Sequence, residues 1–385
     1  MKPVEVILFA ASFFPNATGA TYSAYRLACA LRERGVRVTF VVDTKSGWKD
    51  GESYDGFPVR VLFLQNTGKL RKVVSLLKLV WWIRSGKLRG DFFHVQGGGH
   101  MNLIAARVVQ LLCGIPALMK ITLDGWDTPD GIAAYPWRGL PLRCFHALDA
   151  VVAMTSGQGD KCLHAGYGGI LRVIPNGVDC VRYHPASPEE RLELRRRIGL
   201  DPGDVVLIYV GWVGLRKGTD VLMEVFRRLA PGHPRLKLML VGDYLEKREE
   251  GGLLSGLDED LKKRLILTGR VPNAEDYFRA SDVFVFPSNQ EGFGTVQIEA
   301  MACGIASVVN DLPGVSCDIY PDESAGFRIR GNEAAGYIPV LERLIADPGL
   351  RERMGRKARD RAAEQFSLES VAGRYLDLYA KLASR

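Results

Sequence analysis

The sequence predicts an α/β protein with two doubly wound, Rossmann-like parallel sheets. Short runs rich in Val, Ile and Leu alternate with amphipathic helical stretches, and continuous apolar runs are typical of parallel strands that helices cover on both faces. The series begins at residues 4–10 and begins again at 205–211, after a segment rich in Pro, Asn and Gly at 174–190. The 385 residues also exceed one ordinary domain of roughly 150 residues.

The individual strands and the domain limits follow from the same pattern. Strands are expected at residues 4–10, 36–42, 59–64, 91–96, 116–122 and 150–155, and then at 205–211, 236–242, 265–269, 282–288 and 306–310. A helix is expected from Ser367 to Leu382, with one apolar side formed by Leu368, Val371, Tyr375, Leu378, Tyr379 and Leu382. We therefore expect domains at 1–174 and 175–365 and a C-terminal helix within 366–385.

Composition favours a protein of the reducing cytoplasm. Seven Cys occur without a C-x-x-C pair, so neither a zinc site nor a disulfide framework is indicated. The apolar N-terminus reads as a buried strand rather than a signal peptide, because Glu5 interrupts it.

The net charge of +7 is uneven: residues 1–100 hold 15 Lys and Arg against 7 Asp and Glu, and the remainder holds 36 against 37. This basic first half predicts an anionic partner or membrane surface, and no motif supports nucleic-acid binding.

The stretch EGFGTVQIEAMACG, residues 291–304, predicts a binding loop that leads into a helix. Glu291 lies in the loop, Glu299 lies about two turns into the helix, and Gly304 can end it. The backbone NH groups of Phe293, Gly294 and Thr295 would open the helix and suit an anionic or hydroxyl-rich ligand. The alternative is that both glutamates are ordinary solvated charges. An unpaired carboxylate at Glu299 would be costly in its apolar segment.

A second loop, residues 211–218, carries the cation pair Arg216 and Lys217 just before a predicted helix. Cations at this position suit a diphosphate. The spacing of a Walker A motif is absent, and a solvated basic loop is the alternative reading.

These motifs, taken in order, resemble the retaining glycosyltransferases of family four, which have the GT-B fold with two domains facing across a cleft. The order is NGVD, G-x-x-x-x-R-K-G-x-D, VGD, LTGRV and PSNQEGFG-x-x-x-x-E-A-M-A-C-G. The resemblance covers nearly the whole chain and is strongest in the second half.

The resemblance implies a nucleoside-diphosphate sugar as donor, retention of anomeric configuration, and no cofactor or bound metal. Glu299 would bind the ribose, and Glu291 with the NH groups of Phe293 and Gly294 would bind the transferred sugar. Lys217, with Arg216, would neutralise the leaving diphosphate. The backbone at Val271 would contact the base, and the Gly19-Ala20 turn would approach the diphosphate. The C-terminal helix would return to the first domain.

The sequence also departs from the family pattern. Residues that differ from the usual ones are Trp212 for Arg, Ala20 for Gly, Gln96 for His, Asp124 for His and Ala306 for Pro. Arg216 is a hypothetical substitute for the missing cation at Trp212. Gln96 cannot take a proton, although its amide can orient hydroxyls.

On the acceptor side, residues 69–89 hold seven cations and no acid. Helical spacing places Arg71, Ser75, Lys78 and Trp82 on one basic stripe, opposite an inner arc of Val73, Leu77, Val80 and Ile83. Such a stripe predicts contact with an anionic membrane, and a core helix with a solvated basic face is the alternative. Further acceptor-site candidates are Gln96, His100, Asp124, Trp126 and Asp127; the aspartates would bind hydroxyls, and Trp126 would stack on a ring or lie in the core.

Together these features predict a metal-independent retaining hexosyltransferase that acts on a glycan or lipid-linked acceptor in polysaccharide or glycolipid synthesis, in the cytoplasm or peripherally on the inner membrane face. One alternative is a GT-B sugar-nucleotide epimerase, and another is a non-catalytic nucleotide-sugar-binding scaffold. A dinucleotide oxidoreductase is disfavoured because no G-x-G-x-x-G opens either half.

Overall fold

The computed structural model describes residues 3–15, 18–43, 47–64, 68–134, 138–243 and 257–384. The chain divides into two compact units. Unit 1 comprises Met1–Gly177 together with Leu368–Arg385, and unit 2 comprises Val178–Ser367.

In the described part of unit 1, eight strands form one sheet in the order β3-β4-β2-β1-β5-β6-β7-β8. The strands are β1 Glu5–Ala10, β2 Arg37–Asp43, β3 Ser53–Tyr54, β4 Phe57–Leu62, β5 Phe92–Gln96, β6 Ala117–Lys120, β7 Ala150–Ala153 and β8 Ile170–Val173. Every pairing is parallel except that of the short β3 with β4. All side chains of β1 are buried, as expected of a strand covered on both faces.

In the described part of unit 2, six strands form a wholly parallel sheet in the order β11-β10-β9-β12-β13-β14. The strands are β9 Val205–Val210, β10 Leu236–Val241, β11 Leu265–Gly269, β12 Val283–Phe286, β13 Ala306–Asn310 and β14 Gly326–Ile329. The predicted fold class is confirmed, and each of the eleven predicted strands has a counterpart. Three short strands, β3, β8 and β14, were not predicted.

Helices connect the strands in both units. They are α1 Gly19–Glu33, α2 Lys69–Arg84, α3 His100–Cys113, α4 Pro129–Ala133, α5 Gly139–His146, α6 Ser156–His164, α7 Pro188–Ile198, α8 Thr219–Leu229, α9 Glu259–Lys263, α10 Ala274–Ala280, α11 Thr295–Ala302, α12 Ser316–Ile319, α13 Ala334–Ala346, α14 Pro348–Arg361 and α15 Leu368–Ala383. Among the described helices, none has both the length and the apolar composition to cross a membrane.

The last helix, α15, packs on unit 1. Its predicted apolar side is confirmed, because Val371, Tyr375, Leu378, Tyr379 and Leu382 are buried in one core with α1 and the sheet. The ring of Tyr379 also stacks on that of Phe92.

The orientation predicted for α2 is wrong. Trp82 is only 3% exposed and Ser75 is buried as well, so these two members of the supposed basic stripe face the protein, whereas Arg71 is exposed. Ser75 exchanges hydrogen bonds with the backbone of Phe63, and the cations of Lys78 and Arg60 lie over the Trp82 ring. Leu77, predicted to face inward, is 60% exposed, and Val73 is exposed beside it.

A buried lysine connects three segments of unit 1. Lys120, at the end of β6, donates hydrogen bonds from Nζ to Ser23 Oγ at 2.8 Å and to Asn176 Oδ1 at 2.6 Å. It is fully buried, and burial lowers the pKa of Lys120 from 10.5 to about 7. Desolvation disfavours the charged ammonium, so its protonation opposes folding.

The stability of the wild type should therefore rise between pH 7 and pH 9. In this range the unfolded lysine, which titrates near 10.5, holds a proton that the folded one has lost above about 7. At 1.36 kcal/mol per unit, the free energy of unfolding should gain about 2 kcal/mol relative to Lys120→Met, which lacks the titrating group. Urea unfolding of both proteins at pH 7 and pH 9 measures this difference. Parallel pH profiles would contradict it.

Candidate active site

In unit 2, an ion pair joins the loops that follow two neighbouring strands. Lys217 follows β9 and Glu291 follows β12, and Lys217 Nζ is hydrogen-bonded to Glu291 Oε1. Parallel neighbours end at the same sheet edge, which is where open α/β sheets bind ligands. The side chains are 12% and 11% exposed, so the pair is shielded and still reachable. Ser288 Oγ donates a further hydrogen bond to Glu291 Oε1 at 2.9 Å.

The two loops are fixed to each other by backbone contacts. Asn289 N donates to Arg216 O at 3.1 Å, and Asn289 Nδ2 donates to Leu215 O at 3.1 Å. Gly218 makes this approach possible: its φ is +67°, and a Cβ there would lie 1.8 Å from Pro287 O. The geometry of the cation loop therefore depends on a glycine that no other residue can replace without movement.

Helix α11 begins beside Glu291, at the predicted position. Gly294 precedes it with φ +77°, no side chain caps its N-terminus, and Gly304, also with positive φ, lies just past its end. The first turn of α11 lies beside the Glu291 loop, so the positive end of the helix dipole can meet negative charge or hydroxyl oxygens there. Phe293 is buried, and Thr295 is the first helical residue.

Glu299 lies in the middle of α11 and is 9% exposed, so it is not the solvated helix charge of the alternative reading. Its carboxylate contributes to the raised pKa of the Cys303 thiol, after the larger effect of burial. No contact joins it to Lys217 or Glu291 among the hydrogen bonds and ion pairs described for unit 2. The remaining donor-side candidates are more open: Arg216 and Trp212 are exposed, and Val271 is half-buried in the loop after β11.

Unit 1 has a polar cavity of about 250 Å³ at the carboxyl ends of β1, β5 and β6. Its lining residues are Ala10, Ala11, Ser12, Thr18, Ala20, Thr21, Gln96, Gly97, Gly99, Asn102, Thr122 and Asp127. Two helices begin at its rim: α1 at Gly19, capped by Thr18, and α3 at His100, which no side chain caps. The cavity therefore contains two of the predicted acceptor-site residues, Gln96 and Asp127, together with Ala20.

The two aspartates of this region bind protein groups. The Asp127 carboxylate accepts hydrogen bonds from Gly98 N, Thr122 N, Thr122 Oγ1 and Leu123 N, at 2.5 to 3.0 Å, and so organises two loops. Asp124 is paired with Lys161 Nζ at 2.7 Å.

Trp126 is 56% exposed and is not a core residue. Burial lowers the pKa of His100, which opens α3.

Some residues at these sites were not singled out from the sequence. Ser288 supports Glu291, and its only signal was its place in the motif PSNQEGFG. Asn102 lines the cavity of unit 1 three residues after Gly99, and no sequence motif pointed to it. Within the described ranges, no group of three or more His, Cys, Asp and Glu is placed to hold a metal ion.

Comparison with known proteins gives the class of this fold and site. A family model described as a glycosyl transferase 4-like domain matches residues 18–177, and one described as glycosyl transferases group 1 matches residues 190–361. The D-inositol 3-phosphate glycosyltransferase of Thermobifida fusca is 33% identical over 372 residues, covering 88% of this chain and 83% of that protein. The chain therefore belongs to the family-four-like glycosyltransferases of the GT-B fold.

Other relatives are longer than the part they share with this chain. The D-inositol 3-phosphate glycosyltransferase of Streptomyces bingchenggensis is 31% identical over 75% of this chain, and the chain spans 65% of its length.

Solved structures share the fold at low identity. Sucrose-phosphate synthase from Thermosynechococcus elongatus has a TM-score of 0.77 at 21% identity, covering 99% of both chains. Anabaena HepE in complex with UDP-glucose has a TM-score of 0.74 at 19% identity, also covering 99% of both chains.

Replacing Gly218 with Ala should destabilise unit 2. A side chain in the left-handed region costs roughly 1–2 kcal/mol, and the overlap with Pro287 O adds to this, so we expect a loss of about 2 kcal/mol or more. Gly232→Ala is the control, because nothing lies within 4 Å of a Cβ there. Denaturant unfolding compares the two variants. A Gly218→Ala protein as stable as the control would show that the close contact is not maintained.

Proposed function

We propose that the protein is a metal-independent, retaining hexosyltransferase that takes its sugar from a nucleoside diphosphate and transfers it to a hydroxyl of a glycan or lipid-linked acceptor. The ion pair between Lys217 and Glu291 carries this proposal, because it brings a cation and a carboxylate to the edge of the unit 2 sheet where a ligand is expected. Family membership supports the reaction class, and relatives are named for transfer to inositol 3-phosphate.

In this proposal, Lys217 and Arg216 bind the diphosphate of the donor. Breaking the sugar–phosphate bond leaves negative charge on the phosphate and an oxocarbenium-like sugar. Preorganised cations lower the energy of that charge, so neither a metal nor a side-chain nucleophile is needed. The acceptor hydroxyl attacks the anomeric carbon on the face that the phosphate leaves, and a phosphate oxygen takes its proton.

The carboxylates bind hydroxyl groups of the donor. Glu291, held by Lys217 and Ser288, accepts from the transferred sugar, and Glu299 accepts from the ribose. The first NH groups of α11 donate to sugar or phosphate oxygens. The Val271 backbone, in the loop after β11, contacts the base. When the donor binds, its diphosphate competes with Glu291 for Lys217.

We also propose that the protein contacts an anionic membrane on its acceptor side. The contact uses a face of α2 other than the one that the sequence indicated. The outer face of α2, defined by Leu70, Val73, Val74, Leu77 and Trp81, is exposed and apolar. Exposed Leu111 and Leu112 at the end of the neighbouring α3 extend it, and Arg84 Nη1 donates to Leu112 O between them. Clusters of exposed apolar side chains mark interaction surfaces.

Cations around the outer face of α2 favour an anionic bilayer as its occupant. Lys87 Nζ lies 4.2 Å from the Trp81 ring centre, Arg84 and Lys69 are exposed nearby, and residues 69–89 contain no acid. Apolar side chains flanked by Lys and Arg suit insertion at the headgroup boundary of anionic lipids. We propose that the enzyme works peripherally on the cytoplasmic membrane face through this surface.

Removing either member of the central ion pair should abolish most donor turnover. Lys217→Ala and Glu291→Ala should each lower nucleoside diphosphate release by roughly 10²-fold or more, since loss of one preorganised charge typically costs that much. Release is measured with UDP-, GDP- and ADP-sugars in excess EDTA.

Lys262→Ala and Glu259→Ala are matched controls, because these residues form an exposed pair at 2.8 Å on a surface helix. Full turnover in Lys217→Ala would refute its role, and loss of turnover in EDTA would refute metal independence. Release accompanied only by an epimerised sugar would instead identify an epimerase, and tight donor binding without turnover would identify a scaffold.

The membrane surface is tested by placing charge on the outer face of α2. The double change Leu77→Glu with Trp81→Glu should weaken co-sedimentation with phosphatidylglycerol-containing vesicles at least about tenfold, because each apolar side chain contributes roughly 1.5–3 kcal/mol when buried. Leu163→Glu is the control, an equally exposed leucine on α6. If the wild-type protein stays in the supernatant, the membrane proposal is wrong. If the wild type dimerises and the double change abolishes dimerisation, the outer face of α2 binds a second copy of the chain instead.

A further inference from the structure

Two buried amides form part of the wall of the unit 1 cavity. Gln96 ends β5 and is 5% exposed, and Asn102 lies in the first turn of α3 and is 2% exposed. Within the described part of the chain, Gln96 Oε1 and Asn102 Oδ1 have no hydrogen-bond partner. Leaving a buried acceptor unpaired is costly, so two such atoms at one polar cavity need an explanation.

Backbone contacts fix the orientation of the Asn102 amide. Its Nδ2 donates to Gly97 O at 3.2 Å and to Gln96 O at 3.4 Å. The opposite orientation would place Oδ1 against two carbonyl oxygens, which cannot donate. Asn102 Oδ1 is therefore the atom left for a ligand.

A chain of contacts from α15 orients Gln96. Burial, with the nearby Lys120 charge, lowers the pKa of His94 to about 3, so its ring is neutral. His94 Nδ1 lies 3.1 Å from Tyr379 Oη, and Gln96 Nε2 lies 3.5 Å from His94 Nε2. We assign the ring proton to Nδ1, so that His94 donates to Tyr379 Oη and accepts from the Gln96 amide nitrogen. Gln96 Oε1 is then the free acceptor.

The composition of the cavity indicates which ligand would satisfy these oxygens. Its described lining contains neither Lys nor Arg, and its one charged residue is the carboxylate of Asp127. The other polar side chains are the hydroxyls of Ser12, Thr18, Thr21 and Thr122. A phosphate would bring acceptor oxygens against acceptor oxygens, whereas the hydroxyls of a polyol are donors.

We propose that Gln96 and Asn102 form a specificity-determining pair that binds two hydroxyls of a neutral, polyhydroxylated ring of the acceptor. This inference rests on the proposed function, because it describes the substrate class of the acceptor site. It differs from what the names of the relatives would suggest, since the two amide oxygens offer no donor to a phosphate on the acceptor. Any phosphate on the acceptor lies outside it.

Ligand-observed NMR on the full chain tests the pair without a donor, using myo-inositol and glucose as neutral probes and inorganic phosphate as competitor. Asn102→Leu and Gln96→Met should each weaken polyol binding about tenfold, as expected for one lost hydrogen bond to a buried acceptor. Phosphate should not displace the polyol.

Gln110→Met is the control, because Gln110 is another α3 amide with an unpaired oxygen but does not line the cavity. Thermal unfolding shows whether each variant is folded. The inference is overturned if the wild type binds no polyol or if phosphate abolishes polyol binding. It is also overturned if both cavity variants bind the polyol as the wild type does. Failure of the proposed function appears separately, as absent nucleotide release from intact donor.

Discussion

The ion pair between Lys217 and Glu291 is the contact on which the rest of the proposed donor site depends. Two charges held at about one-eighth exposure would be strongly destabilised if either stood alone. The pair therefore fixes the loop after β9 against the loop after β12. Ser288 supports the pair with a hydrogen bond to Glu291, and Gly218 allows the two loops to approach each other.

Much of this arrangement could be predicted from the sequence because it depends on topology. Continuous apolar runs identify parallel strands, and neighbouring parallel strands end at one sheet edge, so two residues 74 positions apart can be expected to meet. The limits of α11 were also predictable, because Gly294 and Gly304 both adopt a positive φ that favours glycine. Family resemblance supplied the roles of these residues, which the geometry alone does not assign.

The failures have physical causes of a different kind. In α2 the sequence places cations beside almost every face, so polarity could not distinguish inside from outside. The structure buries Trp82 beneath the cations of Lys78 and Arg60 and satisfies Ser75 with the Phe63 backbone, which are tertiary contacts that no periodicity contains. The same holds for Asp127, whose carboxylate binds four protein donors that come together only in the fold. Strand β3 has only two residues, which are too few for a pattern.

The placement of charge in unit 1 connects the two acceptor-side proposals. The first hundred residues carry an excess of eight positive charges, yet none of the cations that the structure describes among them lines the cavity. Several of them instead surround the exposed apolar face of α2, where they are screened by water and can meet lipid phosphates. The anionic part of a lipid-linked acceptor would then be recognised at the membrane surface, and its reacting ring by neutral hydrogen-bond acceptors. In this proposal, the separation keeps the charged lipid group at the membrane and away from the unpaired amide oxygens of the cavity.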